Sequence, residues 1–200
     1  MAEPKSDIVA ALEPVVDALE ALGVRYRVGG SVASSALGVP RSTLDVDVAC
    51  ELRQQHVGAL VAALIADYYI DEDIIRDAIS RESCFNVIHL ATMLKVDLFV
   101  RRSRPFEDVA FERTVRRSLD VAMGAREFDL TTPEDIILHK LEWFRAGGRV
   151  SDRQWHDIVG VLAIQRGQLD REYLERWAEE LGVADLLARA LSDAAAPSST

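Results

Sequence analysis

Three aspartates and a glycine–serine turn are the residues of this chain best suited to chemistry. Asp45 and Asp47 lie two apart in the run Leu44–Ala49. Its alternation predicts a strand with Leu44, Val46 and Val48 on one face and both carboxylates on the other. Their Cα atoms then stand ~6.6 Å apart, two strand rises. Like charges that close in a half-buried strand are unfavourable unless a cation lies between them. An oxygen-only ligand set suits a hard ion, Mg²⁺ or its substitute Mn²⁺. Upstream, Gly29-Gly30-Ser31 joins an expected strand, Val24–Val28, to an expected helix, Ser31–Leu37. Such a turn offers backbone N–H groups and a hydroxyl at a helix N-terminus, where phosphates bind. Asp97 is a third carboxylate, in the alternating run Leu94–Val100 with Lys95 and Phe99 on its own face. Phosphate cradle plus metal carboxylates is the equipment of metal-assisted nucleotidyl transfer. Asp45 and Asp47 would ligate the metal, and Asp97 would serve as further ligand and as base for the acceptor hydroxyl. Ser31 and the neighbouring N–H groups would hold the β- and γ-phosphates.

The elements that must position these groups are readable from hydrophobic period. Residues 6–22 carry a helical pattern ending at Gly23, with Pro14 predicting a break or kink inside it. A loop with Pro40 and Arg41 leads into the Asp45–Asp47 strand. Helices are expected over Arg53–Ala66 and Asp71–Glu82, then paired strands over Cys84–Leu90 and Leu94–Val100. Residues 103–130 suggest a short helix and strands near Ser118–Ala122 and Arg126–Leu130. From Thr132 the pattern is all helical, opened by the cap Thr132-Pro133-Glu134-Asp135 and ended at Gly147-Gly148. Ser151-Asp152-Arg153-Gln154 opens a second helix with Trp155, Ile158, Val159 and Leu162 inward. Two more are expected over Arg171–Leu181 and about Ala184–Leu191. Trp143, Phe144, Trp155 and Trp177 read as core residues, and Arg153 with Asp157 as an i, i+4 helix ion pair. The fold class is α/β: a small mixed sheet flanked by helices, with a helical C-terminal half. The expected division is a core over 1–130, a helical subdomain over 131–193 and a frayed tail over 194–200.

Composition narrows the function classes. The 200 residues are 49% hydrophobic and 28% charged, the balance of a globular protein. No stretch of about 18 apolar residues occurs, and residues 1–5 lack a signal-peptide core, so no membrane association and a cytoplasmic location are expected. Cys50 and Cys84 are too isolated for a disulfide framework. The four histidines show no zinc-ligand spacing with them. The net charge of −10 argues against broad nucleic-acid binding. Residues 1–100 hold 8 Lys/Arg against 15 Asp/Glu, and 101–200 hold 15 against 18. Within the second half, Arg101, Arg102, Arg104, Arg113, Arg116 and Arg117 form a basic stretch. It is either a polyphosphate or RNA contact surface or a solvated face balanced by Glu107, Asp108 and Glu112.

Gly29-Gly30-Ser31, then Arg41-Ser42-Thr43-Leu44-Asp45-Val46-Asp47, then Lys95-Val96-Asp97-Leu98 resembles the DNA polymerase beta-like nucleotidyltransferase superfamily. Within it the chain looks most like the small bacterial abortive-infection toxin type (AbiEii-like). The resemblance implies Mg²⁺, an NTP donor, release of pyrophosphate, an acceptor that is RNA in some members, and a cognate antitoxin as partner. It also implies nucleotide-binding roles for Gly29, Gly30, Ser31 and Arg41. Lys140, in Leu138-His139-Lys140-Leu141, would touch the triphosphate, and Asp157 would position that lysine or the base. An adenylyltransferase acting on a small, antibiotic-type acceptor fits the same motifs, and the acidic net charge suits a cationic acceptor. A catalytically silent nucleotide-binding partner protein is the third alternative.

Overall fold

A computed structural model describes residues 6–120 and 125–196 of the chain. By packing the chain divides into two units, Met1–Gly29 with Thr43–Leu130, and Gly30–Ser42 with Thr131–Thr200.

The first unit carries a mixed sheet. Helix α1 (Asp7–Ala21) is capped by Ser6, whose hydroxyl accepts from the Val9 N–H, and precedes β1 (Tyr26–Val28). Strand β2 (Asp45–Cys50) is followed by a 3-10 turn (Gln54–His56) and α3 (Val57–Leu64). Next come β3 (Tyr68–Tyr69), α4 (Glu72–Ser80), β4 (Cys84–His89) and β5 (Lys95–Val100). Helix α5 (Pro105–Phe111), β6 (Thr114–Ser118) and β7 (Glu127–Thr131) complete it. The strand order is β3-β4-β5-β2-β1-β7-β6. Strands β2 and β5 run parallel, as do β1 and β7, whereas β1–β2, β3–β4 and β4–β5 are antiparallel. One sheet face is a block of apolar rows: Val87, Val96 and Val46 lie side by side, then Phe85, Leu98 and Val48. All six are buried, as are Leu12, Val15, Val16 and Leu19 of α1, which packs on α3 and β5. Each such side chain contributes about 1.5–3 kcal/mol.

The second unit is helical: α2 (Gly30–Leu37), α6 (Pro133–Ala146), α7 (Asp152–Ile164), α8 (Arg171–Glu180) and α9 (Ala184–Ala195). Thr132 caps α6 by accepting from the Asp135 N–H, and Ser151 caps α7 from Gln154. Helices α2, α6 and α7 pack on one another, and α7 also packs on α9.

The fold class stands: a mixed sheet, flanking helices and a helical C-terminal half. Local expectations changed in six places. Helix α1 runs unbroken across Pro14, because its buried stripe on both sides of the proline holds the segment helical. Leu44 precedes the strand and is 83% exposed rather than facing inward. The two-residue β3 lies between two expected helices, where no strand was expected. Strand β6 ends at Ser118, with Leu119 and Asp120 in a bend, and residues 121 and 122 lie outside the described residues. Trp143 is 50% exposed, whereas Phe144 and Trp177 are buried. Helix α9 extends to Ala195; the last part of the expected tail, 197–200, lies outside the described residues, as does the 1–5 segment. Among the described residues no helix is long and apolar enough to cross a membrane.

Candidate functional site

Strand pairing builds a row of acids on the sheet face opposite the apolar block. The burial of β2 alternates, with Val46, Val48 and Cys50 buried and Asp45 and Asp47 half-buried. In the parallel β2–β5 register Asp47 stands across from Asp97 and Asp45 across from Lys95. Asn86 on β4 pairs with Asp97 from the other side. Asp45, Asp47 and Asp97 are thus brought onto adjacent strands: alternation sets the face of each within its run, and the parallel pairing brings the two runs together.

Hydrogen bonds define how the row is held. The Gly29 N–H donates to the Asp47 carbonyl at 2.8 Å, fixing the turn against β2. That N–H is therefore spent on the strand, so Gly29 acts by placing the chain. Gly30, which opens α2, adopts φ +54°, a left-handed conformation that favours glycine. Thr43 Oγ1 donates to Asp45 Oδ1 at 2.7 Å. Lys95 Nζ donates to Asp97 Oδ2 at 2.8 Å. The Lys95 ammonium titrates above the ordinary lysine range, because its hydrogen bond to Asp97 outweighs desolvation and the Asp45 and Asp47 charges add to it.

Along the same sheet face, Ala49 is flanked by Phe99 and Arg27. Arg27 is 2% exposed and donates to Glu107 Oε2 of α5 at 2.7 Å, with its guanidinium 4.7 Å from the Phe111 ring centroid. This buried pair anchors α5 on the sheet.

A second cluster forms within the helical unit. Arg41 donates through Nε to Asp157 Oδ1 at 2.8 Å and through Nη2 to Oδ2 at 3.0 Å. Its Nη2 also donates to the Ser31 hydroxyl. Lys140 Nζ reaches Asp157 Oδ2 at 2.8 Å. Lys140 and Asp157 are both only 8% exposed. Burial raises the Asp157 carboxyl, but the hydrogen bonds from Arg41 and Lys140 prevail and hold it below the usual carboxylate range. Two glycines bring the Arg41 loop onto α7. A Cβ on Gly38 would lie 2.9 Å from the Val161 nitrogen and the Ser34 oxygen, and one on Gly160 would lie 3.2 Å from Val39. Gln165 adds a hydrogen bond to the Leu37 carbonyl at 2.7 Å. Gly160 and Val161 lie three and four residues beyond Asp157, on its helix face.

Ser31, Arg41, Lys140 and Asp157 thus come together within one unit, and the three aspartates within the other. The expected Arg153–Asp157 pair is replaced by Arg41 and Lys140, because Asp157 lies on the buried side of α7 while Arg153 is exposed. Sequence reasoning missed Thr43 and the role of Lys95. It could have found the burial of Lys140, which falls inside the apolar stripe Ile136, Ile137, Leu141 and Phe144 of α6.

Part of the basic stretch is paired within the first unit. Arg101 contacts Glu51 at 3.0 Å and also Asp108, Arg104 contacts Glu107 at 2.8 Å, and Arg116 contacts Asp129 at 3.6 Å. Among the described residues no three His, Cys, Asp or Glu side chains converge to enclose a metal ion as they are turned here. The donor set of the row still fits a hard divalent ion. It is all oxygen, and three carboxylates against one ammonium leave a charge of −2.

No protein-family model matches the chain, and no curated protein matches it. Solved structures do. An antigenic nucleotidyltransferase-like protein from Paracoccidioides brasiliensis is 18% identical, with a TM-score of 0.53 covering 94% of each chain. The antibiotic-resistance factor ANT(2'')-Ia in solution is 13% identical, with a TM-score of 0.51 covering 93% of each chain. The same factor in complex with adenylyl-2''-tobramycin is 14% identical, with a TM-score of 0.56 covering 88% of this chain and 98% of that one. At these identities the likeness is one of fold, and the chain has a nucleotidyltransferase fold.

Proposed function

We propose that the chain transfers a nucleotide from an NTP to an acceptor hydroxyl, with release of pyrophosphate. The observation that carries this is the carboxylate row: Asp47 in register with Asp97 and Asp45 one pleat away, on a nucleotidyltransferase sheet. Asp45 and Asp47 would hold a divalent cation, Mg²⁺ or Mn²⁺, with Asp97 completing the set. Such an ion supplies charge neutralisation at the triphosphate and at the departing pyrophosphate. Asp97 also takes the proton of the attacking hydroxyl, a role its position beside Asp47 supports. Thr43 orients Asp45 by its 2.7 Å hydrogen bond. In the helical unit Arg41 and Lys140 exceed the charge of Asp157 by one. With the Ser31 hydroxyl and the first turn of α2 they offer the donors a polyphosphate needs.

A small hydroxylated acceptor is the second reading, favoured by one observation. Arg101 and Arg104 already hold acid partners, which takes two charges from the basic stretch an RNA would use. The narrower likeness to toxin-type enzymes rests on the sequence motifs alone. The test is transfer from each α-labelled NTP with Mg²⁺, to cellular RNA or to a panel of aminoglycoside and lincosamide acceptors, beside Asp47→Asn. Label moved by wild type and not by the variant supports the reaction, and the acceptor that carries it decides the class. Equal transfer by both proteins removes Asp47 from the chemistry. Nucleotide binding without transfer to any acceptor favours a silent partner.

A further inference from the structure

The carboxylate row contains a cation of its own. Lys95 lies across from Asp45 in the β2–β5 register and two residues before Asp97, on the same face. Its Nζ sits 2.8 Å from Asp97 Oδ2, and its side chain is 42% exposed against 12% for Asp97. The ammonium thus comes in from solvent onto a carboxylate that is itself nearly covered. Asp45 is turned toward Thr43, so two of the three acids are oriented by neighbours other than each other.

We propose that Lys95 is the resting counter-ion of this row, and that a divalent cation binds by displacing its ammonium from Asp97. Lys95 thereby sets the metal affinity of the site. The inference rests on the metal-dependent reaction proposed above. At rest the pairing keeps Asp47 and Asp97, Cα partners on neighbouring strands, from meeting as unrelieved like charges. A lysine suits the task because its ammonium is a compact charge on a flexible stem, able to swing into water when a stronger cation arrives. Displacement leaves that charge tethered nearby. Charges of +1 and +2 about 6 Å apart in water-like surroundings repel enough to weaken binding about tenfold.

Direct Mn²⁺ binding to the full chain, followed without nucleotide by the paramagnetic resonance of free Mn²⁺, tests this. The proteins compared are wild type, Lys95→Met, Lys95→Arg and Asp47→Asn. Lys95→Met should bind about tenfold tighter, and Lys95→Arg, which keeps the charge, within about twofold of wild type. Asp47→Asn should lose the site. A folded Lys95→Met with unchanged or weaker affinity overturns the role of Lys95 and leaves the proposed reaction standing, since wild type still binds the ion. Equal tightening by Lys95→Arg also overturns it, because packing rather than charge would then be responsible. No Mn²⁺ bound by any of the four overturns both. Should Lys95→Met fail to fold, Lys95→Gln removes the same charge and carries the same expectation.

Discussion

Replacing Asp157 by alanine should be among the most destabilising changes in the helical unit. The carboxylate accepts from Arg41 at 2.8 and 3.0 Å and from Lys140 at 2.8 Å. Its side chain is 5% exposed, that of Lys140 10% and that of Arg41 25%. Removing one partner from a buried pair costs about 3–5 kcal/mol, chiefly because the other charge stays buried alone. Lys140 is that charge; Arg41 reaches water more readily and adds about 1 kcal/mol at most. Against a total stability of about 5–15 kcal/mol this is a large fraction. The assay is urea unfolding followed by circular dichroism, for Asp157→Ala, Lys140→Met and the double variant. The double variant should recover about 2 kcal/mol or more of the Asp157→Ala loss, because no unpaired ammonium remains. A loss below about 1 kcal/mol, the worth of a surface pair, would refute the burial argument. So would a double variant no better than Asp157→Ala.

Three further outcomes are expected. Gly38→Ala should cost about 1–3 kcal/mol, since the new Cβ meets backbone atoms of Ser34 and Val161 at 2.9 Å; a neutral denaturation midpoint would contradict this. Because the folded-state pKa of Asp157 is depressed, its stabilisation is present above the ordinary carboxylate pKa of about 3.9 and lost as pH falls through the folded value. The stability gap between wild type and Asp157→Asn should therefore be full at pH 7 and narrow below about pH 4; a gap constant across that range counts against the pairing. Asp97→Asn should lower the rate of nucleotide transfer by about 10²-fold or more while leaving the circular dichroism spectrum unchanged, and a variant of undiminished rate would remove Asp97 from the chemistry.

What the sequence disclosed, and what it concealed, follows from the range of the interactions. Alternation in Asp45–Cys50 and Lys95–Val100 is local, and it placed the aspartates on one face with the α/β class around them. The helix caps at Thr132 and Ser151 are local too. The pairing of Asp157 with Arg41 was not. Arg153 stands four residues away and invited a helix pair, whereas Arg41 lies 116 residues away and meets Asp157 only because Gly38 and Gly160 let a loop close on α7. The Asp47–Asp97 register is likewise a product of parallel pairing, which no spacing announces. Pro14 misled because tertiary burial of α1 overrides a local penalty. Leu44 misled because alternation does not say where a strand begins.

The central claim is that Asp45 and Asp47 hold a divalent cation beside an NTP. Crystals grown with Mn²⁺ and a non-hydrolysable ATP analogue test it by anomalous scattering. The account predicts a peak about 2.1 Å from carboxylate oxygens of both Asp45 and Asp47, with a phosphate oxygen in the same coordination shell. Bound analogue with no peak at these two residues, or a peak held by other side chains, would contradict it.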